Sequence, residues 1–395
     1  MKITKDQKQA EIVNTWNENN RIGLLTAVGS FGKSISAIKC ALFIKEEKPV
    51  IHIIVPRQIL KEQWEGILST WKVENAEVFV VNSYIKTEMV CDFLIQDEIH
   101  MFSNEDALVF NQAVLNSKWK YFLGLTATIS PQHIETLNKR GIKEICHISM
   151  KEALLNEWVA PVIEYNKMLD FTEAEFKSYA DANKMYEFYF KTFYNKFDDV
   201  MACLNPITRE GYLFRRNRGL LPNSPMYLDG QKATMHAVQF NRWLKKRKDI
   251  LYNAYNKIQA VIDILAEHPN ERTIIFSEST LFCDILHERL PNSVLYHSKV
   301  TDKKKKENLK KFLNKESQYL IGAKSVDQGF DDSSVTLGII TSSTSSSTQH
   351  RQRLYRVTRY EKDKLSYLYN LVIRNSQEES WTKTKQKETR AALII

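Results

Sequence analysis

The sequence predicts an α/β protein with two parallel sheets in tandem and a mainly helical segment between them. Three observations lead to this prediction. Short apolar runs alternate with amphipathic stretches over residues 1–150, aromatic and charged residues mix without strand-like runs from about 150 to 250, and strand-like runs return from 273 onward. Such alternation is typical of a parallel sheet with helices on both faces.

The first sheet is predicted from five apolar runs of strand length. Each run is bounded by polar or turn residues, and a helical pattern follows most of them. The runs are 22–26, 50–55, 77–81, 91–95 and 121–125.

The middle segment has a different character. Residues 179–197, YADANKMYEFYFKTFYNKF, carry aromatic side chains at helical spacing. We interpret the segment as a helical insertion that packs these rings on itself or on a neighbour. The alternative is a surface on which nucleic-acid bases stack.

The second sheet is predicted from runs at 273–276, 294–296, 319–321 and 336–340. The two α/β halves suggest one architecture used twice.

Composition indicates a soluble globular protein with an anionic partner. The chain has 395 residues, of which 43% are hydrophobic and 26% charged, with a formal net charge of +9. That excess of positive charge favours nucleic acid as a partner. No apolar stretch approaches the length of a membrane span, and the N-terminus lacks a secretory signal, so a cytoplasmic protein is expected. Five widely separated cysteines predict reduced thiols and no zinc site.

A phosphate-binding loop is predicted between the first strand and the helix that starts at Lys33. A phosphate site needs backbone N–H groups that converge at a helix N-terminus and an ammonium group that reaches the phosphates. Gly29 and Gly32 allow close backbone approach, Lys33 would hold the phosphates, and the Ser34 hydroxyl would bind Mg²⁺. Taken alone, Gly-Lys-Ser after a strand could also be a chance turn.

Two acids follow the fourth strand of the first half. CDFLIQDEIH at 91–100 delivers Asp97 and Glu98 to the carboxyl end of a strand, the edge where open parallel sheets bind ligands. Asp97 is predicted to hold the metal, and Glu98 to orient or deprotonate an attacking water. Solvated surface acids are the alternative.

Together these residues resemble the superfamily 2 helicases and translocases of the DExH type. DEIH at 97–100 is similar to their motif II, and LTAT at 125–128 to their motif III. QKQAEIVNTW resembles the segment in which a glutamine reads adenine, with Gln7 at the matching position. VPRQILKEQW at 55–64 is similar to motif Ia, which lies along the nucleic-acid backbone. The resemblance implies two RecA-like domains that bind ATP and Mg²⁺ between them.

The second half carries three further motifs of this resemblance. TIIFSES at 273–279 is similar to motif IV, AKSVDQGFD at 323–331 to motif V, and QRLYRVTR at 352–359 to motif VI. The sequence departs from the family pattern at Ala27 and Phe31 in the phosphate loop, and at Tyr355, where motif VI usually has glycine. We expect the Phe31 ring to point away from the phosphates, toward the adenosine side or the cleft mouth.

The resemblance implies a role for each matching residue. Arg356 and Arg359 would act as arginine fingers when the domains close, completing a catalytic set with Lys33, Asp97 and Glu98. The residues expected to contact the nucleotide are Gln7, Ala27, Gly29, Ser30, Phe31, Gly32, Lys33, Ser34, Gly329 and Asp331. Those expected to couple hydrolysis to movement are His100, Thr126, Thr128 and Gln352. Those expected to contact nucleic acid are Pro56, Arg57, Gln58, Ser277 and Lys324.

Within this family, the connector is similar to those of XPB-like and phage UvsW-like branch-migration helicases. The predicted domains are 1–150, 151–262 for the helical insertion, and 263–395. The resemblance implies an ATP-driven DNA translocase or helicase, acting on branched DNA, with an RNA helicase or an ATP-switched binding clamp as alternatives. We expect a monomer in the cytoplasm, encoded by a phage.

Overall fold

A computed structural model describes residues 2–84, 89–101, 117–323 and 332–384. Its first half is a six-stranded, fully parallel sheet in the order β3-β2-β5-β7-β1-β8. The strands are β1 (Ile22–Ala27), β2 (Ile51–Val55), β3 (Ala76–Val80), β5 (Phe93–Asp97), β7 (Tyr121–Thr126) and β8 (Glu144–Ile148), with a separate short pair of β4 (Met89–Val90) and β6 (Ser117–Lys118).

Helices connect these strands and cover both faces of the sheet. They are α1 (Lys5–Glu18), α2 (Lys33–Phe43), α3 (Gln58–Trp71), α4 (Val81–Tyr84), α5 (Pro131–Lys139) and α6 (Met150–Leu155). One buried cluster on each face fills the space between sheet and helices. The central strands are buried along their whole length and mostly apolar because neither of their faces meets water.

The middle segment is mainly helical and has its own core. Its helices are α7 (Glu173–Lys191), α8 (Phe197–Leu204), α9 (Pro206–Arg216) and α10 (Gly230–Tyr252). The rings of Tyr186 and Phe190 lie 5.0 and 4.9 Å from that of Phe240. The predicted packing within the helical insertion is confirmed for Tyr186 and Phe190, whereas Phe188, Tyr194 and Phe197 of the same stretch are exposed.

The prediction that no strand lies between 150 and 250 was wrong. Strand β9 (Val162–Leu169) pairs in parallel with the last strand of the second sheet. Since β9 is an edge strand, it carries polar residues such as Glu164, Asn166 and Lys167, and the sequence VIEYNKML lacks a continuous apolar run. The first strand of the second sheet in chain order thus precedes the helical segment.

The second sheet is also six-stranded and parallel, in the order β11-β12-β10-β13-β14-β9. Its other strands are β10 (Thr273–Ser277), β11 (Ser293–Tyr296), β12 (Tyr319–Ala323), β13 (Leu337–Ile340) and β14 (Ser366–Ile373). Its helices are α11 (Tyr255–Glu267), α12 (Thr280–Arg289), α13 (Asp302–Leu313) and α14 (Ser347–Val357). The predicted class, two parallel-sheet domains with a helical insertion, is confirmed.

None of the helices that the structure describes combines the length and the apolar character required to cross a membrane.

Candidate functional site

The predicted phosphate loop connects β1 to α2. Gly32 caps α2 with φ of 96°, a left-handed conformation that favours glycine, and no side chain accepts from the first N–H groups of the helix. These N–H groups and the helix dipole form a binding place for an anion.

Lys33 lies directly beside this helix end. Its Nζ donates a hydrogen bond to the Ala27 carbonyl at 3.1 Å. Burial lowers the pKa of the Lys33 ammonium, while the charges of Glu98 and Asp97 act in the opposite direction. The lysine predicted from the phosphate loop therefore lies near the two acids predicted at the end of β5.

Asp97 ends β5 and has a donor on each carboxylate oxygen. Trp64 Nε1, from α3, donates to Oδ2 at 2.9 Å, and the Glu98 backbone N–H donates to Oδ1 at 2.9 Å. Burial, together with the neighbouring charge of Glu98, raises the pKa of Asp97 to about 6. The carboxylate is therefore held in a fixed orientation at a site where its own charge is unfavourable.

Glu98 adopts φ of 52°, which is uncommon for a residue other than glycine. Its Oε2 is buried without a hydrogen-bond partner, although His100 Nδ1 lies 3.3 Å away. Burial alone would raise the pKa of Glu98, but His100 and Lys33 outweigh it, so the pKa lies below its ordinary value. An ionised acid with an unsatisfied oxygen in a strained turn is typical of active sites.

The predicted coupling residues of the first sheet form one chain of contacts. His100 Nδ1 lies 3.0 Å from Thr126 Oγ1. Thr126 Oγ1 donates to the Thr128 carbonyl at 2.8 Å and accepts from the Thr128 N–H at 3.2 Å. His100 Nδ1 thus lies between the Glu98 carboxylate and the Thr126 hydroxyl group, which connects the acid to this chain of contacts.

The second sheet completes the site through α14 and the residues directly after it. Gln352, Tyr355, Arg356 and Arg359 line a cavity of about 570 Å³. The first-sheet side of that cavity is lined by Gly29, Ser30, Gly32, Lys33, Ser34, Asp97 and Glu98. Positive charge on the two arginines further lowers the pKa of Lys33. Three cations and two carboxylates therefore converge between the sheets, an arrangement that suits a polyphosphate with a divalent metal.

The Phe31 ring points away from the phosphate site, as expected, but it does not point toward the adenosine side or the cleft mouth, so that part of the expectation was wrong. The side chain is fully buried in the core of the first sheet, with its ring centroid 5.2 Å from that of Trp158. An aromatic ring gains more from apolar burial than from a wet cleft. The Phe31 side chain thereby fixes the phosphate loop to the hydrophobic core of the first sheet.

Gln7 is exposed and does not reach the cavity. Its side chain accepts from the Thr4 N–H at 2.7 Å in the capping box that starts α1. One half-turn further on, the buried Gln9 donates from Nε2 to the Gly32 carbonyl at 3.4 Å. Gln9, which the sequence analysis missed, is thus the glutamine that contacts the phosphate loop.

A second cavity, of about 670 Å³, lies where the two sheets meet the helical insertion. Arg57 comes from the first sheet, Lys245 from α10, and Lys299 from the second sheet. The hydroxyl groups of Ser279 and Thr280 also line it. Asp249 and Glu278 line the cavity too, and Glu278 is paired with Arg353 at 2.6 Å. With three exposed cations from three parts of the chain, the cavity is a candidate place for a phosphodiester backbone.

The other predicted nucleic-acid contacts are less accessible. Ser277 is fully buried, and its Oγ accepts from the Ser279 N–H at 3.1 Å, so it does not face a ligand. Pro56 is buried and Gln58 is exposed at the start of α3. Lys324, Gly329 and Asp331 lie outside the described residues.

A family match and a solved structure indicate the class of protein that this chain resembles. Residues 256–361 match the family described as helicase conserved C-terminal domain. The crystal structure of the Pyrococcus furiosus Hef helicase domain superposes with a TM-score of 0.55 at 14% identity, covering 97% of this chain and all of that one. The fold is that of a helicase domain with two RecA-like halves.

A curated relative then narrows the class. The DNA 3'-5' translocase XPB2 of Sulfurisphaera tokodaii is 24% identical over 393 residues, which is 95% of this chain and 83% of the relative. The predicted resemblance to superfamily 2 helicases and translocases of the XPB-like kind is confirmed.

Proposed function

We propose that this protein is an ATP-dependent DNA translocase or helicase that hydrolyses ATP in the cleft between its two sheets. The observation that carries the proposal is the 570 Å³ cavity, to which the first sheet contributes the phosphate loop and two acids and the second sheet contributes two arginines. The name of the XPB2 relative supports DNA as the polymer and translocation as the activity.

The residues of the first sheet fit ATP with Mg²⁺ as substrate. The open N-terminus of α2 and the Lys33 ammonium would bind the phosphates, and Ser34 and Asp97 would hold the metal, which neutralises phosphate charge. The Glu98 carboxylate, ionised and with one oxygen available, would accept a hydrogen bond from the attacking water and orient it. Asp97 is held for its role by Trp64.

Arg356 near the end of α14 and Arg359 just beyond it would complete the reaction from the opposite side. Guanidinium groups of Arg356 and Arg359 would neutralise charge that develops on the transferred phosphoryl group, a contribution of about 10³ to 10⁵ in rate in other nucleotide hydrolases. Because these groups belong to the second sheet, hydrolysis requires the cleft to be closed. The contacts from Glu98 through His100 to Thr126 and Thr128 would transmit that state to the nucleic-acid side.

We further propose that the polynucleotide backbone passes through the 670 Å³ cavity. Contacts from Arg57, Lys245 and Lys299 to phosphates would make binding independent of sequence and sensitive to salt. In this arrangement α10 of the helical insertion contributes one side of the polynucleotide path. The domain limits 1–150, 151–262 and 263–395 stay a proposal, although β9 within the middle range pairs with the second sheet. Action on branched DNA, a monomeric state, a cytoplasmic location and a phage origin stay predictions.

The function is tested by the ATPase rate of the wild type and of Lys33→Ala, each without nucleic acid and with single-stranded DNA, forked DNA or RNA. We expect stimulation by DNA in the wild type and none in the variant. Equal stimulation by RNA, without displacement of a DNA strand, would favour an RNA helicase. ATP-dependent DNA binding without turnover would favour a clamp, and a wild type that no polymer stimulates would refute the motor.

A further inference from the structure

The phosphate loop and α14 approach each other unusually closely at Gly29 and Tyr355. A Cβ placed on Gly29 would lie 2.3 Å from both Cβ and Cγ of Tyr355, far inside van der Waals contact. Ser30 Oγ also donates to the Tyr355 backbone carbonyl at 3.0 Å. The side chain of Tyr355 packs against the core cluster of the first sheet, although the residue belongs to the second.

This contact, and not the backbone conformation, requires glycine at position 29. Gly32 has a positive φ that any side chain would strain, whereas Gly29 does not lie in the left-handed region. The backbone of Gly29 can therefore accept alanine as long as the space above it is empty. Tyr355 is what fills that space.

The next residue of the loop depends on the same contact. Ser30 holds φ of 68°, a left-handed conformation that residues other than glycine rarely adopt. Two bonds fix it, one from Ser30 Oγ to the Tyr355 carbonyl and one from Lys5 Nζ to the Ser30 carbonyl at 3.1 Å. The shape of the loop that faces the phosphates is thus partly set by the second sheet.

Tyr355 also sits at the centre of the residues that α14 and the segment directly after it present to the cavity. Arg356 follows it directly, Gln352 precedes it by three positions and Arg359 follows by four, and all of them line the cavity with it. A displacement of Tyr355 relative to the loop therefore displaces Arg356, on the same helix, and Arg359, two residues past the helix end, relative to Lys33 and Glu98. Bulk at position 355 determines how close α14 can come to the loop.

We propose that Tyr355 is a positioning residue whose contact with Gly29 sets the register between α14 and the phosphate loop, and hence the place of Arg356 and Arg359 in the closed cleft. Motif VI usually has glycine where this chain has Tyr355. In this chain the Tyr355 side chain therefore sets the distance between α14 and the phosphate loop, in place of direct contact between the two backbones. The inference rests on the proposed ATP hydrolysis for its kinetic test.

The test is a second-site rescue. Gly29→Ala should reduce DNA-stimulated kcat by about a hundredfold, since a misplacement of roughly 1 Å at a reacting group can cost that much. Tyr355→Gly should lower kcat by a smaller factor, because α14 loses its spacer. The double variant Gly29→Ala/Tyr355→Gly should turn over at least about tenfold faster than Gly29→Ala alone, because the new methyl group enters the space that the ring has left.

A matched variant sharpens the test. Tyr355→Ala keeps the Cβ that lies 2.3 Å from the added methyl group, so Gly29→Ala/Tyr355→Ala should not be rescued. Gly211→Ala, whose added Cβ meets nothing nearer than 3.6 Å, controls for glycine replacement and should leave kcat unchanged. The affinity for a fluorescent ATP analogue should change far less than kcat in Gly29→Ala. An equal loss in Gly29→Ala and in Gly29→Ala/Tyr355→Gly would overturn the proposal.

Failure of the proposed function can be told apart from failure of this inference. If the wild type does not hydrolyse ATP, the function fails, and the pair is then tested by the midpoint of thermal unfolding of the same proteins. We expect a lower midpoint for Gly29→Ala and a higher one for Gly29→Ala/Tyr355→Gly than for Gly29→Ala. Independent, additive effects of the two substitutions on the midpoint would overturn the inference.

Discussion

Asp97 is placed where its charge destabilises the fold, and replacing it should show this as a pH dependence. Burial raises the pKa of the carboxyl from its ordinary 3.8 to about 6. One pKa unit corresponds to about 1.36 kcal/mol, so the ionised form costs roughly 3 kcal/mol of stability. Asp97→Asn removes this charge. The amide resembles the protonated acid, because each has one acceptor oxygen and one donor group. In both, the donor group faces one of the two N–H groups that bind this side chain.

The sign follows from proton binding. Between about pH 4 and pH 6 the folded state holds a proton on Asp97 that the unfolded state has lost, so the wild type loses stability as pH rises through this range. The Asp97→Asn variant has no ionisable group at this position, so it lacks this dependence on pH. Relative to the wild type, Asp97→Asn should therefore gain stability between about pH 4 and pH 8, by up to roughly 3 kcal/mol.

The assay is thermal unfolding of both proteins in the absence of nucleotide, compared at each pH. For a unit of about 150 residues, 1 kcal/mol shifts the midpoint by about 2 to 4 °C, so the difference between the proteins should grow by about 6 to 12 °C from pH 4 to pH 8. Any fixed cost of the amide cancels in this comparison. A difference that stays constant over the range would refute the reasoning.

Two further predictions concern a buried ion pair and the second cavity. Lys257 Nζ lies 2.9 Å from Glu378 Oε1 with both side chains fully buried, so Lys257→Met should lower the free energy of unfolding by about 3 to 5 kcal/mol in urea titrations. Lys257→Met/Glu378→Gln should recover part of this loss, and an equal or larger loss would contradict the account. Lys299→Ala should weaken binding of unrelated DNA sequences equally and reduce the slope of log affinity against log salt by about 1. Lys303 is also exposed but does not line the cavity, so Lys303→Ala should leave the slope unchanged. Equal slopes for both variants would argue against the proposed path.

The sequence predicted those parts of the fold that depend on local apolar pattern. Central strands such as β2 and β10 are buried on both faces, and their sequences IHIIV and TIIFS are apolar at most positions. The edge strands β8 and β9 were missed because their exposed faces carry polar residues. The interior strand β14 was missed as well, since SYLYNLVI mixes polar residues into its first half.

The candidate site divides in the same way. Lys33 with Asp97 and Glu98 could be predicted because each lies at a strand end or helix start that the sequence itself indicates. The contact of Gln9 with the loop, the Trp64 bond to Asp97 and the packing of Tyr355 on Gly29 depend on how separate elements meet, which no local pattern encodes. The departure at Tyr355 from the family pattern was the one sequence signal that pointed to such a contact.

The central claim is that the two sheets share one catalytic cleft. Its most direct test is to measure both the DNA-stimulated ATPase rate and the ATP affinity of Arg356→Ala and of Arg359→Ala. If the arginines of the second sheet complete a site built on the first, turnover should fall by at least about a hundredfold while ATP affinity stays nearly unchanged. Wild-type turnover in both variants would contradict a catalytic cleft shared by the two sheets.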